Sequence, residues 1–129
     1  MKNKIYNILL DNNKIGTTDL EKADAPMGFV FGKINFDSIK SGYDFFRSYC
    51  QVNEIETTDY PEDKLILIGT IPKLQVFDQA GIEIKGHGCT INGMDSDEFE
   101  ISIGGVPYPF YEEEFPHHVK AYHDLLNRK

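Results

Sequence analysis

His87 and Cys89 are the residues whose types and spacing come closest to a nucleophilic site. In an extended strand, side chains at i and i+2 share a face, so this spacing sets an imidazole beside a thiol. A working nucleophile also needs a third group to orient the base and a cleft to receive substrate. The sequence offers no such group, and Gly81, Gly86, Gly88 and Gly93 around the pair read as marks of a hairpin, a bulge and a loop. These glycines also miss the dinucleotide-binding GxGxxG spacing, because Ile91 stands where the third glycine belongs. A small enzyme or ligand-binding protein built on His87 and Cys89 is therefore the alternative reading, and no cofactor is expected.

Metal chemistry is tested by two further groups. His117, His118 and His123 fall on one predicted helix, but two ligands on a helix must share a face at i and i+4. His118 and His123 are five apart, which at about 100° per residue turns them about 140° from each other. Asp95 and Asp97 offer hard oxygen ligands, yet Phe99 and Glu100 occupy the fifth and sixth positions of the would-be calcium loop, where a ligand and a glycine are required. No metal site is expected.

Carboxylates are the most unevenly placed chemistry in the chain. No lysine or arginine occurs between Lys85 and Lys120, a window that holds Asp95, Asp97, Glu98, Glu100, Glu112, Glu113 and Glu114. A second base-free window, between Arg47 and Lys64, holds Glu54, Glu56, Asp59, Glu62 and Asp63. Residues 1–52 carry seven bases against six acids, and residues 53–129 six bases against fifteen acids. A net charge of −8 argues against nucleic acid and against an anionic membrane surface, both of which recruit Lys and Arg. It favours a basic protein partner, chiefly through faster encounter at low salt.

Beside three of these acids lies the densest aromatic segment. Residues 106–116 hold Tyr108, Phe110, Tyr111 and Phe115 together with Pro107, Pro109 and Pro116. The prolines predict a stiff, extended connection. Aromatic anchors next to carboxylates suit a Lys- or Arg-rich partner; the other outcome is that the rings turn inward and cover the sheet.

The elements that position these residues follow from periodicity. Residues 5–10 and 14–18 form a hairpin around Asp11, Asn12 and Asn13, and residues 29–36 a further strand. Thr18 and Glu21 match a capping box, closed within two turns by Pro26 and Gly28. A helix capped at Asp37 or Ser38 carries the stripe Ile39, Tyr43, Phe46 and Cys50. Leu65 to Ile68 is uniformly apolar, which predicts a central strand covered on both faces. Leu74 and Val76, Ile82 and Ile84, and Phe99, Ile101 and Ile103 alternate as half-buried strands, with a hairpin loop at 78–81.

Pro116 suits the first turn of a last helix striped by Phe115, Val119, Tyr122 and Leu126. Glu112, Glu113 and Glu114 before it and Arg128 and Lys129 at its end favour its dipole.

A chain of 129 residues suits one domain, residues 1–129. The class expected is α+β: an antiparallel or mixed sheet of five to seven strands covered by two main helices, near 38–52 and 116–127. Two cysteines, no secretory pattern and no long apolar run point to a cytoplasmic protein without a membrane span. The leading function is an acidic interaction module, such as an inhibitor or immunity protein. Its candidate contacts are Tyr108, Tyr111, Glu112, Glu113 and Glu114 and the Glu54, Glu56, Asp59, Glu62 and Asp63 stretch. An oligomeric structural subunit, self-associating through the aromatic segment, is a third possibility.

Overall fold

In the computed structural model of the chain, which describes residues 4–127, the first turn is set by two residues that tolerate left-handed backbone. Asp11 and Asn12 have φ of 51° and 68°, the sign that a two-residue type I′ hairpin requires. They join β1 (Tyr6–Leu10) to β2 (Asn13–Thr18), the hairpin expected from sequence. The capping box does not form. Thr18 Oγ1 instead accepts from the Leu20 N–H at 3.2 Å, Glu21 Oε2 accepts from the Lys33 N–H at 3.0 Å, and the chain enters β3 (Lys22–Asp24) and one turn of 3-10 helix, Ala25–Met27.

The expected strand over 29–36 is broken at Ile34 into β4 (Phe29–Lys33) and β5 (Asn35–Phe36). Ile34 is buried and its N–H donates to the Phe99 carbonyl at 2.8 Å; at this point the chain leaves one sheet for the other. α1 (Gly42–Val52) starts later than expected. Its cap is Ser41, whose Oγ accepts from the Asp44 N–H at 3.0 Å, rather than Asp37 or Ser38. Asp95, distant in sequence, completes that cap by accepting from Ser41 Oγ at 2.5 Å and from the Tyr43 N–H at 3.0 Å. Tyr43, Phe46 and Cys50 are buried as their spacing predicts, and Ile39 packs on the core from ahead of the helix.

Next come β6 (Thr57–Tyr60), β7 (Leu65–Ile68), β8 (Leu74–Phe77), β9 (Gly88–Met94) and β10 (Phe99–Gly104). The loop after β8 is a turn as expected: Asp78 Oδ1 accepts from the Ala80 and Ile82 N–H groups, each at 2.9 Å. Ile82 to Ile84 does not make a full strand, giving one isolated bridge between Phe77 and Glu83.

Residues 106–116 are not extended throughout. Pro109, at φ −83° and ψ 0°, opens a short helix, α2 (Phe110–Glu114), before α3 (Pro116–Leu126). Glu112 and Glu113 thus lie in the first turn of α2, and the first turn of α3 holds no acid. Phe115 and Val119 are buried and Tyr122 packs against the core, whereas Leu126 is exposed. Arg128 and Lys129 lie outside the described residues.

Among the described residues the strands form two antiparallel sheets, β5-β2-β1-β8 and β3-β4-β10-β9-β7-β6. The class is α+β, with α1 and α3 as the principal helices, and one hydrophobic cluster runs through both sheets. β7 sits between β6 and β9 as an interior strand but is covered on one face alone: Ile66 and Ile68 are buried while Leu67 is 41% exposed. Its unbroken apolar composition hides that alternation. No helix among the described residues is long and apolar enough to cross a membrane.

Candidate functional site

His87 and Cys89 do not share a strand face, because His87 lies ahead of β9 and Cys89 within it, although both border one depression with Thr70, Ile71 and Ile84. Cys89 turns to the inner face of β9, 9% exposed, where burial and then the charge of Glu83 push its thiol up to about 11. His87 precedes the strand, exposed, with its N–H donating to the Gly104 carbonyl at 2.7 Å. Its ring packs against Gly105, where an added Cβ would clash with His87 Cδ2. A thiol with a pKa near 11 is about 0.1% thiolate at pH 8, against about a quarter for an ordinary cysteine near 8.5. Maleimide labelling of Cys89, followed in a Cys50→Ala variant, is therefore expected to run on the order of a hundredfold slower at pH 8 than for a free thiol. It should rise about tenfold per pH unit up to pH 11; rapid labelling at pH 8 would contradict the burial that produces the shift.

Of the helical histidines, His117 and His118 have rings 4.1 Å apart. His118 Nε2 donates to the Leu20 carbonyl at 2.8 Å, which docks α3 on the loop after β2, while His117 and His123 are exposed. Burial, and then the charge of neighbouring His118, hold the His117 imidazole below its ordinary pKa. Among the described residues no group of three His, Cys, Asp or Glu side chains is arranged to hold a metal ion.

The aromatic segment divides. Tyr111 and Phe115 are fully buried, and the Tyr111 hydroxyl donates to the Phe29 carbonyl at 2.8 Å. Tyr111 therefore holds the segment down from beneath and presents no surface to a partner. Tyr108 is half exposed, its ring stacked on Tyr111 at 5.1 Å and its hydroxyl donating to the Ala25 carbonyl at 3.0 Å. Glu114 is bound by Lys4 Nζ at 2.6 Å and by the Tyr6 hydroxyl at 2.7 Å, so it ties α2 to the start of β1. Glu112 and Glu113 remain exposed.

In the other acidic stretch, Asp59 faces inward and is occupied by the Tyr43 hydroxyl at 2.5 Å and Arg47 Nε at 3.0 Å. Glu54, Glu56, Glu62 and Asp63 are exposed and form no ion pair among the described residues. Met94 of β9 is paired with Leu65 of β7, and the Asp95 N–H donates to the Lys64 carbonyl at 3.2 Å. These contacts bring the turn carrying Glu62 and Asp63 beside the turn carrying Asp97 and Glu98. Acids more than thirty residues apart thereby share one corner of the six-stranded sheet. The bases near it include Lys22, paired with Glu100 at 3.1 Å, Lys64, over the Tyr43 ring at 5.8 Å, and Lys33, which stands across from Glu100 on β4.

That corner borders the sheet face turned away from α1. Tyr60, Leu67 and Phe29 are 43%, 41% and 39% exposed on it. A depression beside the corner is lined by Leu65, Leu67 and Met94 together with Asp97, Glu98, Glu100 and Lys22. Farther along the face, a hollow of about 250 Å³ is lined by Phe29, Thr70, His87, Thr90 and Ser102, smaller than the roughly 300–1,000 Å³ typical of small-molecule sites. Leu65, Leu67 and Met94 are the site residues that sequence reasoning missed. The one signal for them is that an apolar run flanked by base-free acidic stretches is also what an exposed docking strip requires.

No protein-family model, curated protein or solved structure matches the chain.

Proposed function

We propose that the protein is an acidic interaction module that docks on a basic protein, as an inhibitor or immunity protein does. The observation that carries this reading is the meeting of two base-free acidic stretches at one corner of an uncovered sheet face. Glu62, Asp63, Asp97 and Glu98 supply unpaired charge there, and Tyr60, Leu65, Leu67 and Met94 supply apolar surface. The combination suits a partner whose Lys and Arg side chains meet the acids while apolar anchors settle between them. Glu112 and Glu113 belong to α2 and are set apart from this corner by the fold, so they serve as a built-in comparison.

The test is affinity capture from native lysate at low and high salt. Wild-type protein is expected to retain a basic protein at low salt and release it at high salt. The Glu62→Gln, Asp63→Asn, Asp97→Asn, Glu98→Gln variant should lose it, and Glu112→Gln with Glu113→Gln should keep it. Failure to enrich a basic protein at low salt sinks the reading, as does equal capture by the corner variant.

A further inference from the structure

β6 is the outer strand of the six-stranded sheet, and no strand pairs with its other side among the described residues. The direction of its free backbone groups follows from its neighbour. The Ile68 N–H donates to Asn92 Oδ1 of β9 at 3.1 Å, so Ile68 directs its backbone away from β6. Backbone groups alternate sides along a strand, so Leu67 and Leu65 point toward β6 and bond Thr58 and Tyr60, their register partners. Thr57 and Asp59 are left with N–H and C=O groups directed outward, at the free edge.

Soluble proteins usually blunt such an edge with lysine, proline or a bulge. β6 has no lysine, proline or bulge within it and keeps an unbroken register with β7; its protection is limited to its length of four residues and to Asp59, which turns inward to Tyr43 and Arg47. Its surroundings are acidic instead, with Glu54 and Glu56 before the strand and Glu62 and Asp63 after it. Negative charge at both ends selects among strands that might add there. In an antiparallel pairing of two copies that matches Thr57 with Asp59, Glu54 and Glu62 of opposite copies would stand against each other. Self-pairing is thus repelled, whereas a strand bearing Lys or Arg is attracted.

We propose that β6 is a β-augmentation edge that takes an extended, Lys- or Arg-bearing segment of a partner protein. Main-chain hydrogen bonds to Thr57 and Asp59 supply its register, and Glu54, Glu56, Glu62 and Asp63 read its charge. The inference rests on the docking reading above and specifies the partner's conformation at the same corner.

The probe is a capped peptide of alternating lysine and threonine, with an alternating glutamate and threonine peptide as control. At low salt the lysine peptide is expected to bind and to slow amide hydrogen exchange at Thr57 and Asp59, and the glutamate peptide to do neither. Thr57→Pro removes an outward N–H without removing a bond of the sheet, a position where proline is tolerated. It should weaken the lysine peptide by at least about tenfold, while Thr58→Ala should leave binding unchanged. If the lysine peptide binds with Thr57 and Asp59 exchanging at their unliganded rates, or binds Thr57→Pro as tightly as wild type, the edge proposal is overturned and the acidic docking reading stands. If the lysine peptide does not bind at low salt, the edge proposal fails outright, and the docking reading is decided separately by the corner variant.

Discussion

Phe99→Ala is expected to lower the unfolding free energy by about 3–5 kcal/mol, the range for truncating a buried phenylalanine. Such a loss is a large share of the roughly 5–15 kcal/mol that holds a domain of this size together. Phe99 opens β10 and is 4% exposed. Its ring lies 5.8 Å from Phe36 and 6.2 Å from Phe46, so one side chain bonds together the four-stranded sheet, α1 and the six-stranded sheet. Two glycines make room for it: a Cβ on Gly42 would fall 2.7 Å from Phe99 Cε1, and a Cβ on Gly93 2.4 Å from Phe99 Cγ.

This geometry makes a prediction sharper than the loss itself. The three atoms that a Gly42 Cβ would meet all belong to the Phe99 ring. Gly42→Ala should destabilise the wild type and become neutral or stabilising in the Phe99→Ala background, where the alanine gains helix propensity and fills vacated space. A double-mutant cycle followed by urea unfolding reads this as a coupling of opposite sign to the single effect. Additive losses would mean that Gly42 is there for its backbone and not for the ring.

Phe99 also shows how far the fold was legible. Its alternation with Ile101 and Ile103 marks the inner face of β10 from sequence alone, and all three are buried. The spacing of Tyr43, Phe46 and Cys50 marks α1 in the same way. Three kinds of feature were not legible. Ser41 is capped with help from Asp95, a partner fifty-four residues away that no local pattern contains. The break at Ile34 depends on which of two sheets accepts the chain, a tertiary choice. The open side of β7 is invisible because Leu65, Ile66, Leu67 and Ile68 are all apolar, so burial on one face and exposure on the other have the same composition.

The acidic windows were legible as charge and illegible as geometry. Along the sequence Glu112, Glu113 and Glu114 stand next to the densest group of aromatic rings. In the fold, Glu114 is tied to Lys4 and Tyr6 and Tyr111 is core. The Glu62 and Asp97 turns, remote in sequence, meet because β7 pairs with β9. Antiparallel pairing of non-adjacent strands is the step that spacing along the chain does not contain.

The charge at that corner sets the second large effect expected. With the captured basic protein purified, neutralising Glu62, Asp63, Asp97 and Glu98 together should slow association by on the order of 10–100-fold at low salt, because long-range steering acts on encounter. Dissociation should change far less, since exposed charges at a rim contribute little once apolar contacts have formed. The two proteins should converge in rate near 1 M salt, where the Debye length falls to about 3 Å. Leu67→Ala is expected to do the opposite, leaving association intact and speeding dissociation, because it removes contact area and no charge. None of the four acids makes a side-chain hydrogen bond or ion pair among the described residues, so the quadruple variant should unfold within about 0.5 kcal/mol of wild type. Stopped-flow association measured across salt separates these arms. A salt-independent defect in the quadruple variant would place its effect on the fold and remove the corner from recognition.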